Sequence, residues 1–194
     1  ISIASLGSDV EALGVKSQKI IVPRGKALGN IQTIVSSGTL KVSKGPGDEG
    51  TLRIGENGAY LASFQLSANG EAVHVTSLTI TDTMTGQNAI DSLQNIRLYF
   101  NTTQLGEAIP KLTPINATTA TGTFSFNLHV PGAHLIIKAD IVSGEGSTHR
   151  MKIASPEADI VATGDTSKKP IKASGSAVFT VQTIGPKLKT IFDP

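Results

Sequence analysis

Residues 121–142 read TGTFSFNLHVPGAHLIIKADIV, and their pattern decides the fold class. Phe124, Phe126, Leu128 and Val130 fall on one side of an extended chain, with Thr123, Ser125, Asn127 and His129 on the other. After Pro131-Gly132 the alternation resumes, with Leu135, Ile137, Ala139 and Ile141 against Ile136, Lys138 and Asp140. A period of two with one apolar face marks a half-buried antiparallel strand. Proline presets φ at one turn position and glycine permits φ > 0 at the next. The stretch therefore predicts a hairpin that forms a wall of the core.

Outward from this stretch, strand signals recur between turn signals. Residues 39–43, 51–54, 59–68, 73–81 and 93–100 read as strands, with 31–35 joined to the first or separate from it. Residues 104–108 are a short continuation, and 151–154, 158–162 and 174–184 are further strands. Asn57-Gly58 and Asn69-Gly70 are tight-turn dipeptides. The apolar phase slips between Val75 and Leu78, which predicts a bulge or a change of sheet. Residues 82–91 and 110–119 read as polar connections. Eight to ten strands without a convincing helix predict an all-β fold. The architecture expected is a two-sheet antiparallel β-sandwich of jelly-roll type. Its core is assigned to Phe64, Leu66, Leu78, Ile80, Ile96, Leu98, Phe124, Phe126, Leu128, Leu135, Ile137, Ile141, Phe179 and Val181.

Three regions follow. Residues 1–30 form an extended N-terminal arm, 31–186 the sandwich and 187–194 a tail. In the arm Gly7 and Gly14 interrupt any helical spacing of Leu6, Val10 and Leu13. A short strand at 19–22, ended by Pro23, is the expectation, and a helical turn near 9–13 the alternative. Ile1, Ile3, Leu6, Ile20, Ile21 and Val22 need burial somewhere, which makes them candidates for an assembly strand. Leu188, Ile191 and Phe192 give the tail the same character.

Composition narrows the function classes. Of the 194 residues only 16% are charged, against about a quarter in an average soluble domain. Ser, Thr, Asn and Gly must then cover the surface, as in extracellular β proteins. Cysteine is absent, which excludes thiol catalysis, thiolate metal sites and disulfides. The net charge of +2 and the short Lys168-Lys169 pair give no nucleic-acid footprint. No apolar run approaches the ~20 residues of a membrane-spanning helix. A start at Ile1 fits removal of a signal peptide, so an extracellular or cell-surface location is expected, though a trimmed chain fits equally.

Residues 73–106 carry a resemblance. VHVTSLTITDT, with Val73, Val75, Ser77, Leu78, Thr79 and Thr81, precedes Asn95, Ile96, Leu98, Tyr99 and Leu105-Gly106. With the preceding AYLASFQLSANGE this pattern resembles a module of exported surface proteins of bacteria and archaea. The layout of arm plus sandwich is similar to the TasA/camelysin type of biofilm-matrix fibre protein and to archaeal bundling pili. The resemblance implies a secreted subunit of a homopolymer.

Candidate chemistry is sparse. His129 and His134 flank Pro131-Gly132 and are expected to face each other, but no further ligand for a metal is evident beside them. His74 and His149 stand apart. Asp48-Glu49, Asp82, Asp91 and Asp165 are dispersed and match no Ca²⁺ loop, although a structural Ca²⁺ between loops stays open. No Gly-x-Ser-x-Gly elbow is present, and two Tyr with no Trp make a poor sugar-lined cleft. No catalytic residue, cofactor site or metal site is assigned, and an enzyme is not expected. Asn101-Thr102-Thr103 and Asn116-Ala117-Thr118 are glycosylation sequons. The function expected is a structural subunit of a filament, pilus or surface layer. It would polymerise by strand addition, or donor-strand complementation, of the arm to its neighbour. A secreted adhesin or carbohydrate-binding sandwich is the alternative.

Overall fold

The computed structural model describes residues 2–3, 10–22, 27–28 and 38–187. Contacts divide the chain into two units, Ile1–Val35 and Ser36–Pro194. Among its described residues the first holds four two-residue strands: β1 (Ser2–Ile3), β2 (Ala12–Leu13), β3 (Ile20–Ile21) and β4 (Ala27–Leu28). β1 pairs with β4 and β2 with β3, both antiparallel. Gln18, at φ 52°, helps close the β2–β3 turn, where the Gly14 N–H donates to Lys19 O at 2.9 Å. The helical alternative near 9–13 gives way to β2, because Gly14 sits where the chain must reverse.

The second unit is all-β. Its strands are β5 (Thr39–Lys44), β6 (Gly50–Arg53), β7 (Ala59–Asn69), β8 (Val73–Thr85), β9 (Leu93–Phe100), β10 (Thr103–Ile109) and β11 (Thr113–Asn116). There follow β12 (Thr119–Val130), β13 (Gly132–Ile141), β14 (Thr148–Ile153), β15 (Ile160–Gly164), β16 (Pro170–Ile171), β17 (Ala173–Val178) and β18 (Gln182–Gly185). A 3₁₀ turn, Ala89–Asp91, precedes β9, and one helical turn, α1 (Pro156–Asp159), separates β14 from β15. α1 forms where Pro156 occupies the first helical position, at which a missing N–H costs nothing.

These strands make a two-sheet sandwich. One sheet runs β10-β9-β13-β7-β5 and ends on the first half of β17. The other runs β11-β12-β8, with β15 and β14 in tandem along the far side of β8. β16 lies beside β15, and β18 lies between β14 and β6. β17 changes sheets along its length: Ala173–Ser176 pair with β5 and Ala177–Val178 with β14. Two pairs are parallel, β5 with β17 and β6 with β18. The N-terminal strands of the sandwich are thus locked against the C-terminal ones.

The opening stretch needs correction. β12 and β13 form no hairpin. β12 lies along β8, and β13 lies between β7 and β9, in the opposite sheet. Phe124, Phe126 and Leu128 therefore meet Leu135, Ile137 and Ile141 across the core. The turn is drawn onto β7 instead, because the Ala68 N–H donates to Pro131 O at 2.8 Å. Gly132 permits this approach, since a Cβ there would lie 2.9 Å from Leu66 O. A hairpin and an arch between sheets show the same alternation, so periodicity does not separate them. Asn57-Gly58 and Asn69-Gly70 are arches too, joining β6 to β7 and β7 to β8 across the sheets.

The assigned core is buried, except that Val181 is half-buried where β17 and β18 part. The expected bulge is present near Thr76, where β8 shifts register against both β12 and β15. Two polar connections contain strand. Residues 82–85 extend β8, and β11 occupies 113–116. Single long strand 174–184 is split into β17 and β18.

Candidate functional site

The arm carries the most exposed apolar surface. Val15, Ile20, Val22, Leu13 and Ile21 are 89, 80, 63, 62 and 51% exposed. All five lie on or beside the β2–β3 ladder, and two-residue strands cannot bury side chains of that size against each other. Of the other assembly-strand candidates, Ile3 pairs with Ala27 through the backbone of β1. Ile1 and Leu6 lie outside the described residues, as do Leu188, Ile191 and Phe192 of the tail.

A buried polar cluster escaped the sequence reading. Asp82, on β8, and His149, on β14, are both almost wholly buried, with Nδ1 and Oδ2 2.6 Å apart. Nε2 lies 2.9 Å from Ser92 Oγ, at the head of β9 in the opposite sheet. Serine, histidine and aspartate in this order have the layout of a hydrolytic triad. Burial sets it apart from one. The Ser92 hydroxyl donates to Ala89 O at 2.6 Å, and Ser92, His149 and Asp82 are all sealed from solvent. A serine nucleophile has to be reached by the group it attacks. Asp82 also accepts from the Arg150 N–H at 3.1 Å. The cluster is a polar tie between the sheets.

The remaining histidines do not meet as expected. His129 lies across the β8–β12 pair from His74, and His134 lies opposite Gln65 in the other sheet. The His74 and His129 rings stack at 4.0 Å with 8° between their planes. His129 Nδ1 is 2.8 Å from Asp165 Oδ1, and His74 Nε2 is 3.1 Å from Asn127 Oδ1. Stacked imidazoles direct their nitrogens along parallel planes, which is a poor chelating geometry. No group of three or more metal-ligating side chains occurs among the described residues. The dispersed acids have partners within the protein: Asp91 pairs with Lys111, and Asp165 with His129. Asp48 and Glu49 stay exposed in the β5–β6 connection.

Two carboxylates organise loops. Glu71 accepts the N–H groups of Gly38, Thr166 and Ser167 at 2.9, 2.8 and 2.8 Å. The Ser167 hydroxyl and these backbone donors hold its carboxyl down at about 2. Glu71 thereby ties the β7–β8 arch, the β15–β16 turn and the entry of β5. Asp140 accepts from Gly58 N–H and Asn95 Nδ2 and pairs with Arg97. Partial burial pushes its carboxyl up, but Asn95, Gly58 and Arg97 together bring it below the usual range.

Both sequons lie on exposed hairpin turns. Asn101, at φ 55°, starts the β9–β10 turn. Asn116 ends β11, and its Oδ1 accepts the Thr118 N–H at 2.9 Å and the Thr118 hydroxyl at 3.1 Å. Register places the two at opposite ends of the sandwich, Asn101 next to Phe100, which pairs with Leu135, and Asn116 next to Thr119, which pairs with Thr83. No helix among the described residues is long and apolar enough to cross a membrane.

No family model matches the chain, and no curated protein matches it. Several solved structures are similar to it at low identity. The seventh ScaB type I cohesin from Pseudobacteroides cellulosolvens has 8% identity and a TM-score of 0.37, covering 80% of this chain and 98% of its own. AvmM, which catalyses macrocyclization in alchivemycin A biosynthesis, has 9% identity and a TM-score of 0.34, covering 81% of this chain and 94% of its own. A structure of AAF fimbriae from enteroaggregative Escherichia coli has 11% identity and a TM-score of 0.29, covering 76% of this chain and 99% of its own. Likenesses this distant carry no functional argument.

Proposed function

We propose that this chain is a non-catalytic structural subunit of an extracellular filament, pilus or surface layer. Copies join when the N-terminal arm of one adds as a strand to the sandwich of the next. The observation that carries this reading is the arm's apolar surface: Ile20, Ile21 and Val22, with Leu13 and Val15, are more than half exposed. At about 25 cal/mol per Å² of apolar area, leaving five such side chains in water forgoes several kcal/mol. A neighbouring copy is a source of cover, and a head-to-tail contact of this kind does not close on itself. The low charge and the two exposed sequons support an extracellular setting.

The sandwich constrains how a strand is added. The slot between β7 and β17 is filled by the subunit's own β5. The arm therefore joins at a sheet edge, by strand addition, and does not replace a missing central strand. Deletion of residues 1–22 tests the proposal. The truncated protein should fold, shown by an unchanged β spectrum and a cooperative melt, and remain monomeric by sedimentation and negative-stain microscopy. Filaments of normal length from the truncated protein overturn it.

A further inference from the structure

Strand addition requires an edge with free backbone groups, and most edges of the described sandwich are blunted. β11 carries Pro114 and ends in the Asn116 sequon. β16 has two residues, one of them Pro170. The first half of β17 is flanked by α1, whose Glu157 pairs with Lys172 just before the strand. β10 leans on β12 where Gly106 approaches Ser125 O.

β6 differs. On β18, Ile184 turns toward β14, since its N–H donates to Ser147 O at 2.9 Å and its carbonyl accepts from Gly146 at 2.8 Å. Adjacent residues of a strand point their backbone groups to opposite sides, so Thr183 and Gly185 face β6. In the parallel register Thr183↔Thr51 they engage Gly50 and Leu52. Thr51 and Arg53 then point outward. Arg53 is closed off by its own turn, its N–H donating to Glu56 Oε2 at 3.2 Å and its carbonyl accepting from the Glu56 N–H at 3.0 Å. The Thr51 N–H and carbonyl have no partner among the described residues.

Resting on the reading of the arm as an assembly strand, we infer that the edge at Glu49–Thr51, where β6 begins, receives residues Ile20–Val22 from a second copy of this chain. The lengths match, because Pro23 ends the incoming strand and the Arg53–Glu56 turn ends the open edge. The surfaces match as well. Shallow grooves run along β6 past the half-buried Val181 and Ile54, which give apolar contact for isoleucine and valine. Charge is complementary: Asp48 and Glu49 stand at the open end of β6, and Lys16 and Lys19 precede Ile20, all four exposed.

The absence of cysteine makes disulfide trapping a clean test. Full-length Ile21→Cys and Thr51→Cys chains are mixed, polymerised and oxidised. A disulfide-linked heterodimer should dominate over either homodimer by at least about tenfold, a ratio equivalent to ~1.4 kcal/mol of preference. Thr51→Pro, which removes the outward N–H, should leave the monomer's melt in place and abolish filaments. Cross-linking of Ile21→Cys to Ile115→Cys on β11 in place of Thr51→Cys overturns the β6 assignment while the arm reading stands. Undiminished filaments after deletion of residues 1–22 overturn both. Filaments from Thr51→Pro at wild-type yield overturn the β6 assignment alone.

Discussion

His149 Nδ1 and Asp82 Oδ2 lie 2.6 Å apart at a site where neither side chain meets solvent. The pair spans β14 and β8, and Ser92 extends it to the opposite sheet. Removing one partner leaves the other buried and uncompensated, which costs about 3–5 kcal/mol. Asp82→Ala and His149→Ala should each lose about that much in denaturant melts, and the double variant much less than their sum. Ser92 is itself fully buried. A fluorophosphonate probe should therefore leave Ser92 unlabelled in the folded protein, and labelling at Ser92 would show that the hydroxyl is activated after all.

Two seams of the sandwich close on glycine. Gly106, at φ 65°, sits where a Cβ would lie 2.3 Å from Ser125 O, between β10 and β12. Gly175, at φ 108°, sits where a Cβ would lie 2.2 Å from Val42 O, between β17 and β5. Gly146 is the control, with φ 77° and nothing within 4 Å. An alanine at positive φ costs of order 1–3 kcal/mol by itself. Gly146→Ala should show that backbone cost alone. Gly106→Ala and Gly175→Ala should exceed it, because a carbonyl must also move. Equal losses at all three positions would mean that the seams tolerate displacement.

The core was legible because burial on one face imposes a period of two, and Phe124, Leu128, Leu135 and Ile137 obey it. Pairing was not legible. Pro131-Gly132 and Asn69-Gly70 have turn chemistry, but that chemistry is the same for a hairpin and for an arch between sheets. The parallel contact of β5 with β17 joins Leu40 to Ala173, a separation that no local pattern records. Asp82 read as the start of a polar connection because its partner, His149, is 67 positions away. The arm's apolar residues were visible from composition alone. The open backbone at Thr51 was not, since it depends on which way Ile184 faces on the neighbouring strand.

Glu71 makes the fold's stability depend on acid. Its carboxyl is held down at about 2 by the Ser167 hydroxyl and by the N–H groups of Ser167, Gly38 and Thr166, against 4.5 for an ordinary glutamate. A group with a depressed folded-state pKa adds stability that is complete above its unfolded value. That contribution fades as pH falls from about 4.5 toward about 2. Glu71→Gln keeps the shape and removes the charge. The difference in denaturant midpoint between wild type and Glu71→Gln should be constant from pH 7 to 5 and shrink between pH 4.5 and 2. A difference that holds at pH 2 would mean that the carboxylate charge is not what binds the three amides.

The two sequons make different predictions. At Asn116 both the N–H and the hydroxyl of Thr118 donate to the side-chain carbonyl, so the Asx turn holds Oδ1 and leaves Nδ2 without a protein partner among the described residues. At Asn101 the backbone is left-handed in a two-residue turn, and no such bond to Thr103 is made. A source that glycosylates exported proteins should modify both exposed sites, with occupancy higher at Asn116. Glycan at Asn116 would also cover the end of β11 and reinforce the blunting by Pro114, leaving β6 as the accessible edge. Intact-mass measurement of native protein, followed by peptide mapping, reads occupancy at each asparagine. Removing the sequon with Thr118→Ala should delete the Asn116 glycan, expose β11 and broaden the distribution of filament widths by lateral pairing. Native protein at the bare-chain mass would exclude modification at both sites, and filaments of unchanged width after Thr118→Ala would show that glycan is not what keeps β11 from pairing.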